Sequence, residues 1–522
     1  MKRGFRQVRD EILNQATQLG ITARPDDIQV EPVQTANLTP QPFIRCPEQV
    51  GANWRACYNC APAQSELRSE KTVAEIFPFR AVRYNTQRVA LEKVLTQPYD
   101  KITREMQERY YAASPFNLIA IEKGKALPAD SAAENVYTRA ARKLEEWLAE
   151  GILIQDSEPA IYAYFQNYAL PGTSRRLERR GFVSLGRLAD YSEGIVFRHE
   201  QTLTGPKADR LELLGHTRCQ TGQLFLLYDD PARNVDAILE ETAKSQPTAE
   251  MRDEYDVQHR LWAITDAERV RKIAESMAAQ KLVIADGHHR YETALAYRDE
   301  CRAKAGKIDK DAPYEKAMWT CFNIYQSGHV GGHHEGLTIL PTHRLVRDVA
   351  GFSIKTFLKA ASAYFNWYAY PFASASEREE SLGEFRHDLE RRGRAGRVIG
   401  VYAGDAGFYL LVLRNTAELE RLLPDMTPAQ RQLDVVLLHR LLLHKCLGIT
   451  AEKVTAEANV GYERDMDRAI AEVDGKGAQI AFLLNPVRVK QVMEIALSGD
   501  VMPQKSTDFY PKLLSGLCIY KL

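Results

Sequence analysis

Apolar positions along this chain repeat with two periods, and the places where one period gives way to the other mark out its elements. The change is sharpest in residues 281–300, KLVIADGHHRYETALAYRDE. Lys281 to Ala285 is an apolar, partly β-branched run that predicts a strand, and Asp286-Gly287 is a turn pair. Tyr291, Ala294, Leu295 and Arg298 then fall at i, i+3, i+4 and i+7, one face of a helix.

The same reading extends along the chain. PAIYAYFQNY and RRGFVSLGRL alternate on either side of a polar turn and predict a β-hairpin. TREMQERYYAAS and ENVYTRAARKLEEWLAEG predict helices, the second stopped by a glycine. GQLFLLYDD, MWTCFNIYQ and LTILPTHRLV are strand-like. Beyond about residue 350 a helix, the strands RVIGVYAG and GFYLLVLR, and a leucine-rich helix, LDVVLLHRLLLHKCLG, follow. The final block predicts strand, helix, loop and strand. Residues 1–70 read differently, as a leader with one short helical pattern, a Pro/Gln/Thr-rich stretch and a cysteine cluster. The fold class is α+β (mixed α/β) with at least two domains. The expected boundaries are 1–70 for the leader, 71–345 for a phosphate-binding catalytic domain, and 346–522 for a C-terminal α/β domain.

Composition narrows the function. Lys+Arg and Asp+Glu balance at 69 each, which argues against a nucleic-acid partner. No run approaches the roughly 18 apolar residues of a membrane span, and the start, MKRGFRQVRDEILNQ, lacks an apolar signal region. A cytoplasmic protein is expected. Five of eight cysteines are scattered among apolar or helical stretches, as reduced thiols would be. Cys46, Cys57 and Cys60 are one ligand short of a tetrahedral zinc site. His329, His333, His334 and Glu335 lie among glycines that spoil a helical ligand spacing.

Three clusters carry candidate chemistry. At the 286–290 turn a helix N-terminus offers unsatisfied N–H groups and partial positive charge, a ready phosphate cradle. Gly287 lets a phosphate approach the backbone, Arg290 can grip it as a fork, and His288 and His289 can add donors. Asp286 can hold Mg²⁺ or accept a proton from an attacking hydroxyl. The bland alternative makes Asp286 a helix cap and Arg290 a surface charge. The second cluster is FRHEQTLTGPKADR, read as a loop around a Gly-Pro turn, with His199, Glu200, Thr202, Lys207, Asp209 and Arg210. The third, MPQKSTDFYPK, lacks the glycines of a P-loop but offers Lys505 and two hydroxyls to an anion.

From about residue 75 onward the chain resembles domain-of-unknown-function family 1015. The matching motifs include FPFRAVRYN, QPYD, HEQTLTGPKADRLELL, ADGHHRYETAL, LPTHRLV and MPQKSTDFYPKLLSGL. ADGHHR also resembles the Gly-x-His-Arg turn of the ParB/sulfiredoxin superfamily, which includes free-serine kinases. That resemblance implies a ParB/sulfiredoxin-like N-terminal region in which Gly287, His289 and Arg290 bind phosphate and Asp286 lies near the reacting hydroxyl. His288 stands at the reactive cysteine position of sulfiredoxins, and no basic helix-turn-helix follows, so neither sulfiredoxin nor ParB chemistry is expected.

The resulting expectation is a kinase-like phosphotransferase that uses ATP or ADP with Mg²⁺ and acts on a small hydroxylated metabolite, serine being favoured. Asp286, His289, His199 and Glu200 are its catalytic candidates. Gly287, His288, Arg290, Lys207, Arg210 and Lys505 are its nucleotide-binding candidates, and Asp286 is its metal ligand. Phosphoester hydrolysis and nucleotide sensing without turnover are the alternatives, because both need the same anion cradle.

Overall fold

The computed structural model describes residues 29–32, 42–45, 73–200, 205–326, 336–404 and 407–522. Cys46, Cys57, Cys60, Thr202, and the 329–335 stretch with its histidines and Glu335 lie outside the described residues. Met1–Glu70 forms one unit, in which the strands Gln29–Pro32 and Pro42–Arg45 pair antiparallel. They fall in the stretch read from sequence as an irregular leader. Lys71–Leu522 forms a second, much larger unit.

Two sheets organise the larger unit. The first has nine strands among the described residues: β1 (Ile76–Phe77), β2 (Ile161–Ala169), β3 (Arg176–Arg187), β4 (Val196–Phe197), β5 (Leu224–Tyr228), β6 (Ala249–Arg252), β7 (Gln258–Ile264), β8 (Leu282–Asp286) and β9 (Lys316–Asn323). Their spatial order is β6-β7-β2-β3-β9-β5-β8-β4, with β1 alongside β3. The predicted hairpin is β2–β3, with Tyr162 opposite Val183. Its side chains alternate between two apolar clusters rather than between core and solvent. Tyr162, Tyr164, Val183 and Leu185 enter one cluster, and Ile161, Ala163, Phe165 and Phe182 the other. Gly186 is required there, because a Cβ would lie 2.0 Å from the Trp319 ring of β9.

The helices follow the apolar spacing. In α1 (Val136–Ala149) Ala140, Leu144 and Trp147 are buried, and Asn135 caps the start by accepting from the Tyr137 and Thr138 amides. The GPKADR segment departs from its reading as a loop. It opens α2 (Gly205–Thr217), so Lys207, Asp209 and Arg210 ride on a helix. Proline is tolerated in a first helical turn, where its missing N–H has no partner to lose. The 281–300 motif folds as its pattern predicts, β8 followed by α3 (His288–Ala305).

The second sheet is antiparallel. Its strands are β10 (His343–Val346), β11 (Phe365–Pro371), β12 (Val398–Tyr402), β13 (Gly407–Leu413), β14 (Val460–Glu463) and β15 (Ile480–Leu483), in the order β11-β13-β12-β15-β10-β14. α4 (Ala375–Ala395) lays Phe385 and Leu389 into it. LTILPTHRLV is split rather than continuous, because Pro341 has no ladder N–H to donate. Thr338–Leu340 pairs with Asp508–Tyr510, while the rest becomes β10. The leucine-rich helix starts at Asp434–Leu437 and widens over Leu438–Cys446. Among the described residues no helix is long and apolar enough to cross a membrane.

Candidate functional site

β4 and β8 run parallel, with Val196 opposite Leu282 and Phe197 opposite Val283. Two parallel strands leave a sheet at the same end, so the residues that follow emerge side by side. His199 and Glu200 follow β4, and Asp286 ends β8. A third segment joins them. The Met502 N–H donates to the His199 carbonyl at 2.8 Å, which docks the 502–508 loop against the same edge. Strand direction thus brings Glu200 to Asp286, and a backbone hydrogen bond brings in a segment some 300 positions further along the chain.

At the centre, Gly287 turns the chain at φ +95°, a left-handed conformation natural to glycine. A Cβ there would also lie 3.1 Å from the Arg290 guanidinium. α3 begins without a side-chain cap, and the Tyr291 N–H closes the first helical turn on the Gly287 carbonyl at 3.0 Å. The amides of that turn have no carbonyl within the helix, and the macrodipole makes this end positive.

Asp286 does not cap the helix. One oxygen accepts from Arg290 at 2.9 Å and the other from Lys512 at 3.1 Å. Burial pushes its carboxyl up, but Lys512 and Arg290 outweigh that and hold it down at about 2. Each oxygen already serves a cation, and among the described residues no group of three or more His, Cys, Asp or Glu is placed to hold a metal. An Mg²⁺ ion at Asp286 would share oxygens that already accept from Lys512 and Arg290. Arg290 departs from expectation for the same reason. One arm of its fork donates to Asp286 and the other to the Gln223 carbonyl at 2.5 Å.

A cavity of ≈120 Å³ opens in front of this turn. Asp286, Gly287, His288, His289 and Arg290 form one wall, with Glu200 beside them. Lys505, Thr507, Asp508 and Lys512 form a second, and Asp100 with Lys101 a third. Lys512 is buried between Asp286 and Asp508, 3.1 Å from each. Burial pulls its ammonium down, but the surrounding carboxylates raise it above the ordinary lysine range. Lys505 differs. Its side chain is exposed and makes no ion pair among the described residues, and its backbone is left-handed at φ +56°.

Glu200 accepts a hydrogen bond from the Lys505 backbone N–H at 2.9 Å. Burial pushes its carboxyl up to about 7, against the pull of Lys505 and Arg344. His199 lies buried behind this wall. Its Nδ1 is 2.6 Å from the Ile284 carbonyl, which can only accept, so the proton sits on Nδ1. Nε2 then accepts from the Thr507 hydroxyl at 2.8 Å. Burial lowers His199 to about 4, so it is a neutral post. Its ring meets that of His288 edge-on at 4.8 Å. Burial carries His288 well below the ordinary histidine range, and its Nε2 has no partner among the described residues. Burial also lowers His289.

Two expected binders are absent from the cavity wall. Lys207 pairs with Glu292 of α3. Arg210 donates to the Glu122 carbonyl at 2.8 Å and pairs with Asp209 at 2.6 Å. It lines a smaller cavity of ≈60 Å³ that shares Tyr99 and Arg290 with the first. The Thr507 hydroxyl, one of the two offered by MPQKSTDFYPK, lines the cavity beside Lys505. Sequence reasoning passes over Asp100, Lys101, Asp508 and Lys512. Two of these lie within MPQKSTDFYPK, where the polar cluster itself is the signal. Asp100 and Lys101, in QPYDKI, carry no local cue.

The sequence matches the family described as "Protein of unknown function (DUF1015)" over residues 76–436. No curated protein matches it. Among solved structures the chain is similar to a conserved hypothetical protein from Pyrococcus furiosus, 12% identical, over 62% of this chain and 92% of that one, with a TM-score of 0.28. It is similar to a free serine kinase in complex with AMP, 10% identical, over 62% and 89% of the two chains, TM-score 0.29. It is also similar to SbnI with a C-terminal truncation from Staphylococcus aureus, 9% identical, over 64% and 87%, TM-score 0.29.

Proposed function

Because the chain belongs to the DUF1015 family, whose description assigns no activity, we propose a function from the site itself: nucleotide-dependent phosphoryl transfer to a hydroxyl of a small metabolite. One observation carries this reading. A long helix presents its uncapped first turn to a cavity in which a lysine without an ion pair among the described residues and a carboxyl titrating near pH 7 lie side by side. Phosphoryl transfer asks for little more than an anion cradle, charge stabilisation and a proton acceptor.

The nucleotide supplies the phosphoryl group. The first turn of α3 and the Lys505 ammonium bind its phosphates, the helix end by its N–H groups and lysine as a point charge. Glu200 takes the proton of the attacking hydroxyl as its oxygen bonds to phosphorus and the bond to the nucleotide's leaving oxygen breaks. A proton affinity near the working pH suits that task. Asp286 is a clamp rather than a base in this arrangement. It holds Arg290 and Lys512, which keep the 286–290 turn against the C-terminal loop. His199 orients Thr507. Mg²⁺, if it accompanies the phosphates as this ion commonly does, would neutralise their charge, and no resident protein ligand is assigned to it.

The test is ³¹P NMR of the full chain incubated with ATP or ADP, Mg²⁺ and pooled hydroxylated metabolites. A new phosphomonoester signal that is lost with Glu200→Gln is the expected result. Inorganic phosphate alone would instead favour hydrolysis at the same site. Binding with neither product would leave a nucleotide sensor.

A further inference from the structure

Arg344 lies on β10 in the second sheet and is fully buried. Among the described residues no carboxylate lies within ion-pair distance of it. Its guanidinium donates to two backbone carbonyls, those of Thr342 and Gln504, and packs over the Tyr462 ring at 4.9 Å. A buried charge with no carboxylate in direct contact is a costly feature in a fold. The Gln504 hydrogen bond suggests what it accomplishes.

The Gln504 carbonyl and the Lys505 N–H belong to one peptide group. Arg344 donates to its oxygen at 3.2 Å, and its N–H donates to Glu200 at 2.9 Å. A cation at the carbonyl draws electron density through the planar amide and makes the N–H a stronger donor. The same two hydrogen bonds pin the backbone where Lys505 turns left-handed, a conformation that a residue with a Cβ resists. We infer that Arg344 is a positioning residue for Glu200, acting through the peptide that joins Gln504 to Lys505. It thereby ties the second sheet to the site on the first.

This deepens the proposed function, because Glu200 is its proton acceptor, yet it can be tested without any nucleotide. Glu200 is faced by Lys505 from the loop, by Arg344 and Tyr462 from the second sheet, and by Asp286 across the cavity. Arg344 is the member of that set that grips the peptide bonded to Glu200. A core residue without influence on Glu200 would affect stability alike at every pH. A positioning residue also shifts the pH at which Glu200 titrates.

The experiment compares melting temperatures of the full chain with and without Glu200→Gln, from pH 4.5 to 9, in three backgrounds: wild type, Arg344→Met and Arg344→Lys. In the wild-type background the folded protein holds the Glu200 proton until about pH 7, whereas the unfolded chain releases it near its ordinary value. Wild type therefore loses stability relative to Glu200→Gln as pH rises to about 7, and the gap is constant above that. Without the Arg344 guanidinium the gap is expected to keep widening, its plateau displaced upward by about one pH unit in Arg344→Met. Arg344→Lys keeps the charge but not the fork, so its plateau should move the same way by less. If Arg344→Met does not fold, Arg344→Lys decides alone. The same plateau in every folded background, or a gap in wild type that does not vary with pH, overturns the inference.

Discussion

Two charged turns meet at this cavity, and they have opposite characters. The 286–290 turn carries the denser chemistry in sequence, yet Asp286 and Arg290, four residues apart, neutralise each other at 2.9 Å. The 502–507 turn is plainer, but it leaves the Lys505 ammonium without an ion pair among the described residues and gives its backbone N–H to Glu200. Opposite charges close in sequence on a helix start find each other first. Chemical density along a sequence is therefore a good guide to where a site is and a poor guide to which of its residues are free to act.

The contrast can be broken most severely at its neutralised side. Asp286→Ala leaves Lys512 and Arg290 short of a partner, and breaking a buried charge set in this way costs about 3–5 kcal/mol. Chemical denaturation of the variant should show that loss, and unchanged stability would mean that the clamp is not structural. A second large effect comes from the buried histidines. His199 and His343 are both held at about 4 by burial, so the unfolded chain takes up protons near pH 6.5 while the folded chain does not. The contribution of these histidines to stability is full above pH 6.5 and falls as pH drops toward 4, by on the order of 3 kcal/mol for His199. His199→Asn should flatten that slope in denaturation curves recorded at pH 7 and pH 5.

On the active side, Glu200→Gln should lower turnover by about 10²-fold or more and remove the rise in rate as pH passes through about 7. Folding should survive, since glutamine still accepts from the Lys505 N–H. Lys505→Ala is expected to be the mildest change. The side chain is exposed, so stability should hold, while nucleotide affinity falls by about tenfold or more once the ammonium is removed. Calorimetric titration of the two proteins measures that ratio.

Local structure is readable where periodicity is strong. The strand, turn and helix around Gly287 follow from apolar spacing, and the buried Tyr291, Ala294 and Arg298 are the face it marks. Convergence of His199 and Glu200 with Asp286 depends on the parallel pairing of β4 and β8, which no local pattern announces. β4 is only two residues long. The roles of individual residues are harder still. Arg290 reads as a phosphate fork until Gln223 and Asp286 are seen to occupy it, and Lys512 looks ordinary until the fold sets it between two carboxylates. GPKADR misleads because Gly-Pro signals a turn in isolation, whereas a helix start accommodates both residues. Pro341 has the reverse effect, dividing an apolar run between two parts of the fold.

The most direct test of the account is the proton balance of nucleotide binding. ATP should be titrated calorimetrically into wild type and Glu200→Gln at pH 7, in two buffers of different ionisation enthalpy. Phosphates bound in the cavity place negative charge near Glu200 and raise its proton affinity further. Wild type is therefore predicted to take up a fraction of a proton more per nucleotide than Glu200→Gln does. Absence of binding, or proton uptake identical in the two proteins, would contradict a phosphate site with Glu200 at its edge.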